Sequence, residues 1–419
     1  MSRRRTLAAL LAAGLCAQTL AVLAAGTGVA APGGPPPTPV NGTPSPFLRE
    51  LHTPADGATA PPIEGASALL ADLDSGDVLV AKAAGVRRPI ASVTKVMTAL
   101  LVLETSDPDE RVRVSGDAVF DRDEYGATST LGLRAGERLS VRNLLYGAIL
   151  GSANDAARAL AIHVAGSEAG FVELMNERAR ALGMRRTRFA SATGLDDRGR
   201  STASDLVKLA EAAFGMPKFT EIVRTKFRRM PGPGRRDRRI QNRDVLLWLY
   251  PGATGGKTGS TAAAGYCLMA TAQRDGRRLV TIVLRAPDEP FSDAAALLNY
   301  GFEGFTERIL VASGQALGIV ALRGGSVPVI AGGQLGGLVP SDVGNIRFRF
   351  DVDPAATYPP AAGDVVGTYR AWSRGVEIGA VPLIVAQVPG PPDPGEEPWW
   401  FRAAGAIAGA VGSALASLF

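Results

Sequence analysis

Histidine and cysteine are almost missing from this chain: there are two of each in 419 residues. Cys16 falls in an N-terminal leader, which leaves Cys267 alone. A lone cysteine forms no internal disulfide, so the core has to hold the fold. His52 lies in a Pro-rich stretch, and His163 sits among alanines as a packed helix residue would. So few imidazoles argue against a Ser-His-Asp triad and against a zinc site with several histidines. No metal and no organic cofactor is expected. Charge of one sign is not in large excess either. The formal net charge of +5 falls to +2 once Arg3, Arg4 and Arg5 are set aside, and this gives no argument for nucleic-acid binding.

The two ends read as something other than fold. Arg3–Arg5 form a basic start, Leu7 to Ala25 is apolar and uncharged, and Gly28 to Ala31 offers small residues for cleavage. Residues 1–31 are therefore expected to be a secretory signal peptide, with an uncleaved N-terminal anchor as the alternative. Leu15 stands where a lipoprotein signal needs a small residue, so Cys16 is not read as a lipid site. Residues 32–63 are a Pro-rich linker. At the other end, residues 389–419 combine a Pro-rich linker with Trp399–Trp400 and a tail uncharged after Arg402. Paired tryptophans beside an apolar stretch favour a membrane interface. As a helix, Ala403–Phe419 would reach about 25 Å, short for a bilayer crossing. The expectation is a short C-terminal membrane anchor, with a buried core helix as the alternative.

Over the whole chain, 46% hydrophobic residues suit a large folded core. Ala68–Leu73 and Val78–Ala81 read as strands around a turn, and a helical run starts at Ser92. Arg111–Val114 reads as a strand. Helices are expected over Val141–Leu150, about Ala156–Val164 and Glu168–Leu182, and in a segment capped by Ser204–Asp205 and ending at Phe214. Two strands, Gly265–Ala272 and Arg278–Arg285, meet at Asp275–Gly276, and Ala294–Phe302 is a short helix. With β elements at both ends and helices between, residues 64–305 are expected to form one α+β domain. Residues 306–388 have short Val/Ile/Leu runs and no helical period, as a small all-β domain would.

Three short motifs stand in order. Ser92 and Lys95 are three apart, which on a helix puts them on one face. A serine hydroxyl is a poor nucleophile until its proton is taken, and a lysine kept neutral by burial and neighbouring positive charge can take it. Ser152-x-Asn154 could by itself be a helix cap. Lys257–Thr258–Gly259 could by itself be a turn, and it lacks the spacing of a phosphate loop. Taken together, their order and wide separation make Ser-Lys acyl chemistry the better reading.

The set, with the residues around it, resembles the D-alanyl-D-alanine carboxypeptidases, the low-molecular-mass penicillin-binding proteins. Arg88 to Lys95 is similar to that family's approach to its nucleophile. Leu131 to Glu137, Leu144–Leu145–Tyr146–Gly147, Met184 to Phe189, Thr193–Gly194–Leu195, Tyr250–Pro251–Gly252 and Ala264–Gly265–Tyr266 also fit. The resemblance implies a β-lactamase/transpeptidase-like domain, an antiparallel sheet with helices and a helical subdomain, followed by the small β domain. It implies catalytic Ser92, Lys95 and Ser152. Asn154, Lys257, Thr258, Gly259, Ser260 and Thr261 would bind substrate, and the Ser92 amide with one near Ser260 would form an oxyanion hole. The substrate would be peptidoglycan stem peptides ending in D-Ala-D-Ala, with β-lactams as inhibitors, and the enzyme would be exported and associated with the cell membrane and wall. D,D-endopeptidase, β-lactamase and non-catalytic wall-binding readings are the rivals.

Two features sit outside that pattern. Many relatives carry an arginine before the last helix of this domain. Here the stretch is Asp288 to Asp293, and only Arg285 is nearby in sequence. The basic run from Arg224 to Arg239 could hold an anionic wall polymer, but Asp237 and the Pro-Gly turn favour a solvated hairpin.

Overall fold

The computed structural model describes residues 60–386 except 121–127, 234–235, 342–345 and 374–375. The chain divides into Met1–Thr43, outside the described residues, and Pro44–Phe419. The expected leader 1–31, most of the linker 32–63 and the tail 389–419 also lie outside them.

The centre is a five-stranded antiparallel sheet. Its first strands, β1 (Ser67–Asp72) and β2 (Val78–Lys82), pair with each other. The others arrive about two hundred residues later: β7 (Ala253–Thr261), β8 (Gly265–Arg274) and β9 (Arg277–Ala286). The order is β2-β1-β9-β8-β7. Both faces of β1, β8 and β9 are buried, which explains why their apolar residues run almost continuously.

One face packs on the helices of the intervening segment. These are α1 (Lys95–Thr105), α2 (Val141–Leu150), α3 (Asn154–Ala165), α4 (Glu168–Ala181), α5 (Ala203–Phe214) and α6 (Pro217–Arg224). Lys95 to Leu103 are all buried, so α1 is enclosed on every side, as an all-round apolar helix must be. The other face of the sheet is covered by α8 (Phe291–Gly304), through Ala294, Leu297 and Leu298. Two short pairs complete this part: β3 (Arg111–Arg113) with β4 (Arg138–Ser140), and β5 (Phe227–Met230) with β6 (Arg238–Gln241). A four-residue helix, α7 (Leu246–Leu249), stands before β7.

After α8 the described chain is all strand. β10 (Phe305–Val311) pairs with β13 (Leu335–Pro340). A second five-stranded sheet has the order β11 (Ala316–Leu322), β12 (Gly325–Ala331), β16 (Val376–Val385), β15 (Val365–Ser373), β14 (Ile346–Val352). Its core is aliphatic, around Val327, Val329 and Leu383.

Some local expectations are corrected. The α5 cap is Thr202, whose hydroxyl accepts the Asp205 N–H at 3.0 Å, and not Ser204–Asp205. Helix α8 begins three residues before the expected Ala294, and α6 and α7 were not anticipated. Arg238 is not solvated. It is bonded to Glu137 at 2.6 and 2.9 Å and to the carbonyls of Leu131 and Gly132, while the Arg228 guanidinium covers the Tyr146 ring. His163 is not merely packed, for its Nε2 lies 3.2 Å from Glu110 Oε1.

Candidate active site

Ser92 does not stand on regular α-helix. It is the second residue of a 3₁₀ turn, Ala91–Thr94, that leads into α1. Ala91 enters the turn at φ +46°, a conformation that costs a residue with a Cβ and that surrounding structure must hold. Two close backbone approaches do so. Gly194, at φ +79°, lies so near that a Cβ there would fall 1.9 Å from the Ala91 carbonyl oxygen. On the other side a Cβ at Gly259 would fall 2.7 Å from the Ser92 nitrogen. Strand β7 therefore runs directly against the turn.

Lys95 opens α1 and is fully buried. Its Nζ lies 3.0 Å from Ser92 Oγ, 2.7 Å from Asn154 Oδ1 and 2.6 Å from the Thr193 carbonyl oxygen. As an ammonium it donates to all three. As a neutral amine its lone pair can accept the Ser92 proton. Burial, then the charges of Lys257 and Arg243, hold its pKa well below the usual lysine value, against the opposing pull of Asp155 and Glu168.

Ser152 sits between α2 and α3 at φ +56°, a second strained position in the site. Its Oγ lies 3.0 Å from Lys257 Nζ, which also donates to the Thr258 carbonyl at 2.6 Å. Burial and Arg243 bring the Lys257 pKa down to about 7, with Asp244 acting the other way. Asp155, one residue past Asn154, accepts the Leu131 and Leu133 N–H groups. Asn154 in turn donates its backbone N–H to the Ser129 carbonyl. The loop before the second motif is thus fixed as a wall of the site.

These groups border a cleft of about 1170 Å³. Ser92, Ser152, Asn154, Thr258, Gly259 and Ser260 line it, and Lys95 and Lys257 are buried behind. Thr261 is placed apart. Its hydroxyl donates to Asp197 at 2.7 Å and accepts the Ala264 N–H, and it lines an adjoining hollow with Ser260, Tyr266 and Arg285. Three contributors were not singled out from sequence: Arg243 and Asp244, which act on the lysines by charge, and Thr193, which acts through its carbonyl. Of these, only Thr193 had a signal, in the Thr193–Gly194–Leu195 segment.

A serine hydroxyl on one buried amine, beside a second serine on a second buried amine, is an arrangement that can carry out serine acyl transfer. A sequence profile of the family described as D-alanyl-D-alanine carboxypeptidase matches residues 55–288. The D-alanyl-D-alanine carboxypeptidase DacC of Escherichia coli K12 is 32% identical over 357 residues, covering 78% of this chain and 85% of that protein. DacB2 of Mycobacterium tuberculosis is 37% identical over 243 residues, covering 56% of this chain and 81% of its own. Among solved structures, penicillin binding protein 6B from Escherichia coli superposes with TM-score 0.62 at 29% identity, covering 80% of this chain and 99% of that one. DacD from Francisella tularensis superposes with TM-score 0.68 at 24% identity, covering 82% and 99%, and speaks for the fold alone. Fold and likeness together define a serine hydrolase of the penicillin-binding-protein type. This chain belongs to the D-alanyl-D-alanine carboxypeptidase family.

Proposed function

We propose that the chain removes the terminal D-alanine of peptidoglycan stem peptides through an acyl-enzyme on Ser92. The observation that carries this is the 3.0 Å contact between Ser92 Oγ and a fully buried Lys95. Lys95 in its neutral form takes the hydroxyl proton as Oγ attacks the carbonyl between the last two D-alanines. The oxyanion is met by the Ser92 N–H and an N–H on β7 near Ser260, and the Gly259 approach supports that pairing. Ser152, bonded to Lys257, passes a proton to the leaving amine. D-Alanine departs, and water then hydrolyses the Ser92 ester. Asn154 holds the substrate amide. Thr258, Gly259 and Ser260 form the edge along which the substrate lies, with Thr261 at its far end.

A β-lactam carries a strained amide in place of the scissile one and is expected to acylate Ser92. Export and attachment to the membrane and wall belong to the same reading. They are supported by the basic and apolar order of residues 1–31 and by the tryptophan-flanked apolar tail. Among the described residues no helix is long and apolar enough to cross a membrane. Residues 64–305 are taken as the catalytic domain and 306–388 as the β domain.

The test is D-alanine release from a peptide ending in D-Ala-D-Ala, with Ser92→Ala alongside. Release by the parent alone supports the reading. Equal release by both, or a penicillin label that survives Ser92→Ala, overturns it.

A further inference from the structure

We propose that Asp244 is a positioning residue that keeps Lys257 protonated and bonded to Ser152, acting by charge from behind the site. This rests on the reading that the Lys257–Ser152 pair handles the leaving-group proton.

Asp244 is 1% exposed. Its Oδ1 accepts the Leu246 N–H at 3.1 Å, while its Oδ2 is buried and meets no hydrogen-bond donor among the described residues. The loop holding it is rigid. Asn242 Oδ1 accepts the Asp244 N–H, and Asn242 Nδ2 donates to the carbonyls of Val223 and Thr225. An asparagine at 244 could cap Leu246 equally well with its own carbonyl oxygen. A buried carboxylate with one bare oxygen is costly, and such groups persist when a charge offsets them. Lys257 on β7 is that charge: the loop around Asp244 lines the same cleft as Ser152 through Asn242, Arg243 and Val245, the Arg243 N–H meets the Leu150 carbonyl two residues before Ser152, and Asp244 and Lys257 act on each other by charge.

The charges around the pair are few. Arg243, on the same loop, is exposed in the cleft and acts on Lys257 with the opposite sign. Lys95 feels Lys257 and Arg243. Arg224 at the end of α6 and Lys226 beyond it are exposed, with the Lys226 ammonium 5.7 Å above the Trp248 ring. Two consecutive side chains, Arg243 and Asp244, thus pull Lys257 in opposite directions. Burial raises the Asp244 pKa to about 6, so the carboxylate is charged where Lys257, at about 7, still holds its proton.

The chain has six lysines, so ¹³C-labelled lysine can resolve each by NMR titration. In Asp244→Asn the Lys257 midpoint should fall by at least half a pH unit, while Arg243→Gln should raise it. The alkaline limb of penicillin acylation should move with it in both variants. A role only in loop structure would leave the titration where it was, because asparagine keeps the Leu246 bond. An unmoved Lys257 midpoint in folded Asp244→Asn overturns the proposal. In the unmutated chain, the Lys257 signal should also respond near pH 6 as Asp244 takes its proton. Its failure to respond there overturns the proposal whether or not the variant folds. A moved midpoint with an unmoved rate limb upholds the Asp244–Lys257 coupling and overturns instead the assigned role of Lys257 in the reaction.

Discussion

Gly259 and the Ser92 amide are so close that a Cβ at position 259 would lie 2.7 Å from that nitrogen and 3.0 Å from the Val93 nitrogen. Both neighbours are backbone, so neither can swing aside. Gly259→Ala must push β7 away from the nucleophile turn and widen the proposed oxyanion site. The expected result is a fall of about 100-fold or more in penicillin acylation and a stability loss of about 1–3 kcal/mol from overpacking. Stopped-flow acylation and a thermal melt measure the two. Near-parent acylation in a folded Gly259→Ala would show that the oxyanion is held elsewhere.

Lys95→Arg puts a permanent charge where the proposed base stands. A guanidinium stays protonated, so acylation should drop by about 10³-fold. Arg243→Gln addresses the same step from a distance. Arg243 lowers the pKa of Lys95, and removing it should raise that pKa and shift the acid limb of the acylation–pH profile to higher pH. A profile that stays in place would mean that Arg243 does not reach the base.

Buried Lys257 links stability to pH with a definite sign. Its pKa is lowered from 10.5 to about 7 on folding. Below about 7 both states bind the proton, and the full cost of burying the ammonium is present. Between about 7 and 10.5 the unfolded chain binds more protons, so folding gains as pH rises, by about 1.4 kcal/mol per unit at most. Urea titrations of the parent and of Lys257→Met across this range should therefore diverge in favour of the parent. Parallel curves would contradict the lowered pKa.

Much of this site could be read from the chain because its chemistry is carried by residue identity. Ser92, Lys95, Ser152, Asn154 and Lys257 come from three motifs far apart along the chain, and the fold brings them to one cleft. The strands β8 and β9 carry period and turn signals that survive without tertiary context, whereas Gly-rich β7 reads by itself as a turn and becomes a strand only by pairing with β8. Other parts depend on contacts that sequence does not encode locally. The turn under Ser92 is shaped by Gly194 and Gly259, about 100 and 170 residues away. Thr193 works through a carbonyl that any residue has. Arg243 and Asp244 act through charge, which has no spacing rule. The cap falls on Thr202 and not on the expected Ser204–Asp205, because the helix starts where the packed backbone leaves its extended conformation. For α6 the signal was present, since Pro217 occupies the first helical turn, but the helix is only 8 residues long.

Arg238 and Glu137 tie the β5–β6 hairpin to the Leu131–Gly132 wall, with side chains only 10% and 16% exposed. Removing one partner leaves the other charge nearly buried without its ion-pair partner. Either Arg238→Met or Glu137→Leu should cost about 3 kcal/mol, and the double variant should cost less than the sum of the two. Denaturant unfolding of the four proteins closes the cycle. Additive losses would mean that the pair is solvated in practice. The wall also carries Ser129, which holds Asn154, so the single variants should raise KM for peptide more than they lower kcat.

Arg285 stands beside the Thr261 end of β7. It is the next-to-last residue of β9, at φ +53°, and borders the hollow that Ser260, Thr261, Tyr266 and Glu64 share. The terminal carboxylate of a D-Ala-D-Ala peptide needs a cation or several donors, and the arginine common in relatives is missing from Asp288–Asp293. If Arg285 supplies the charge, Arg285→Ala should lower kcat/KM by about tenfold for a peptide with a free terminal carboxylate. The same peptide amidated at its C-terminus should be hydrolysed equally by parent and variant. The ratio of the two substrates isolates the carboxylate contact from any disturbance of Ser260, which both peptides would feel. An equal loss on both substrates would assign the carboxylate to Thr258 and Ser260 instead, and leave Arg285 with a structural part at the end of its strand.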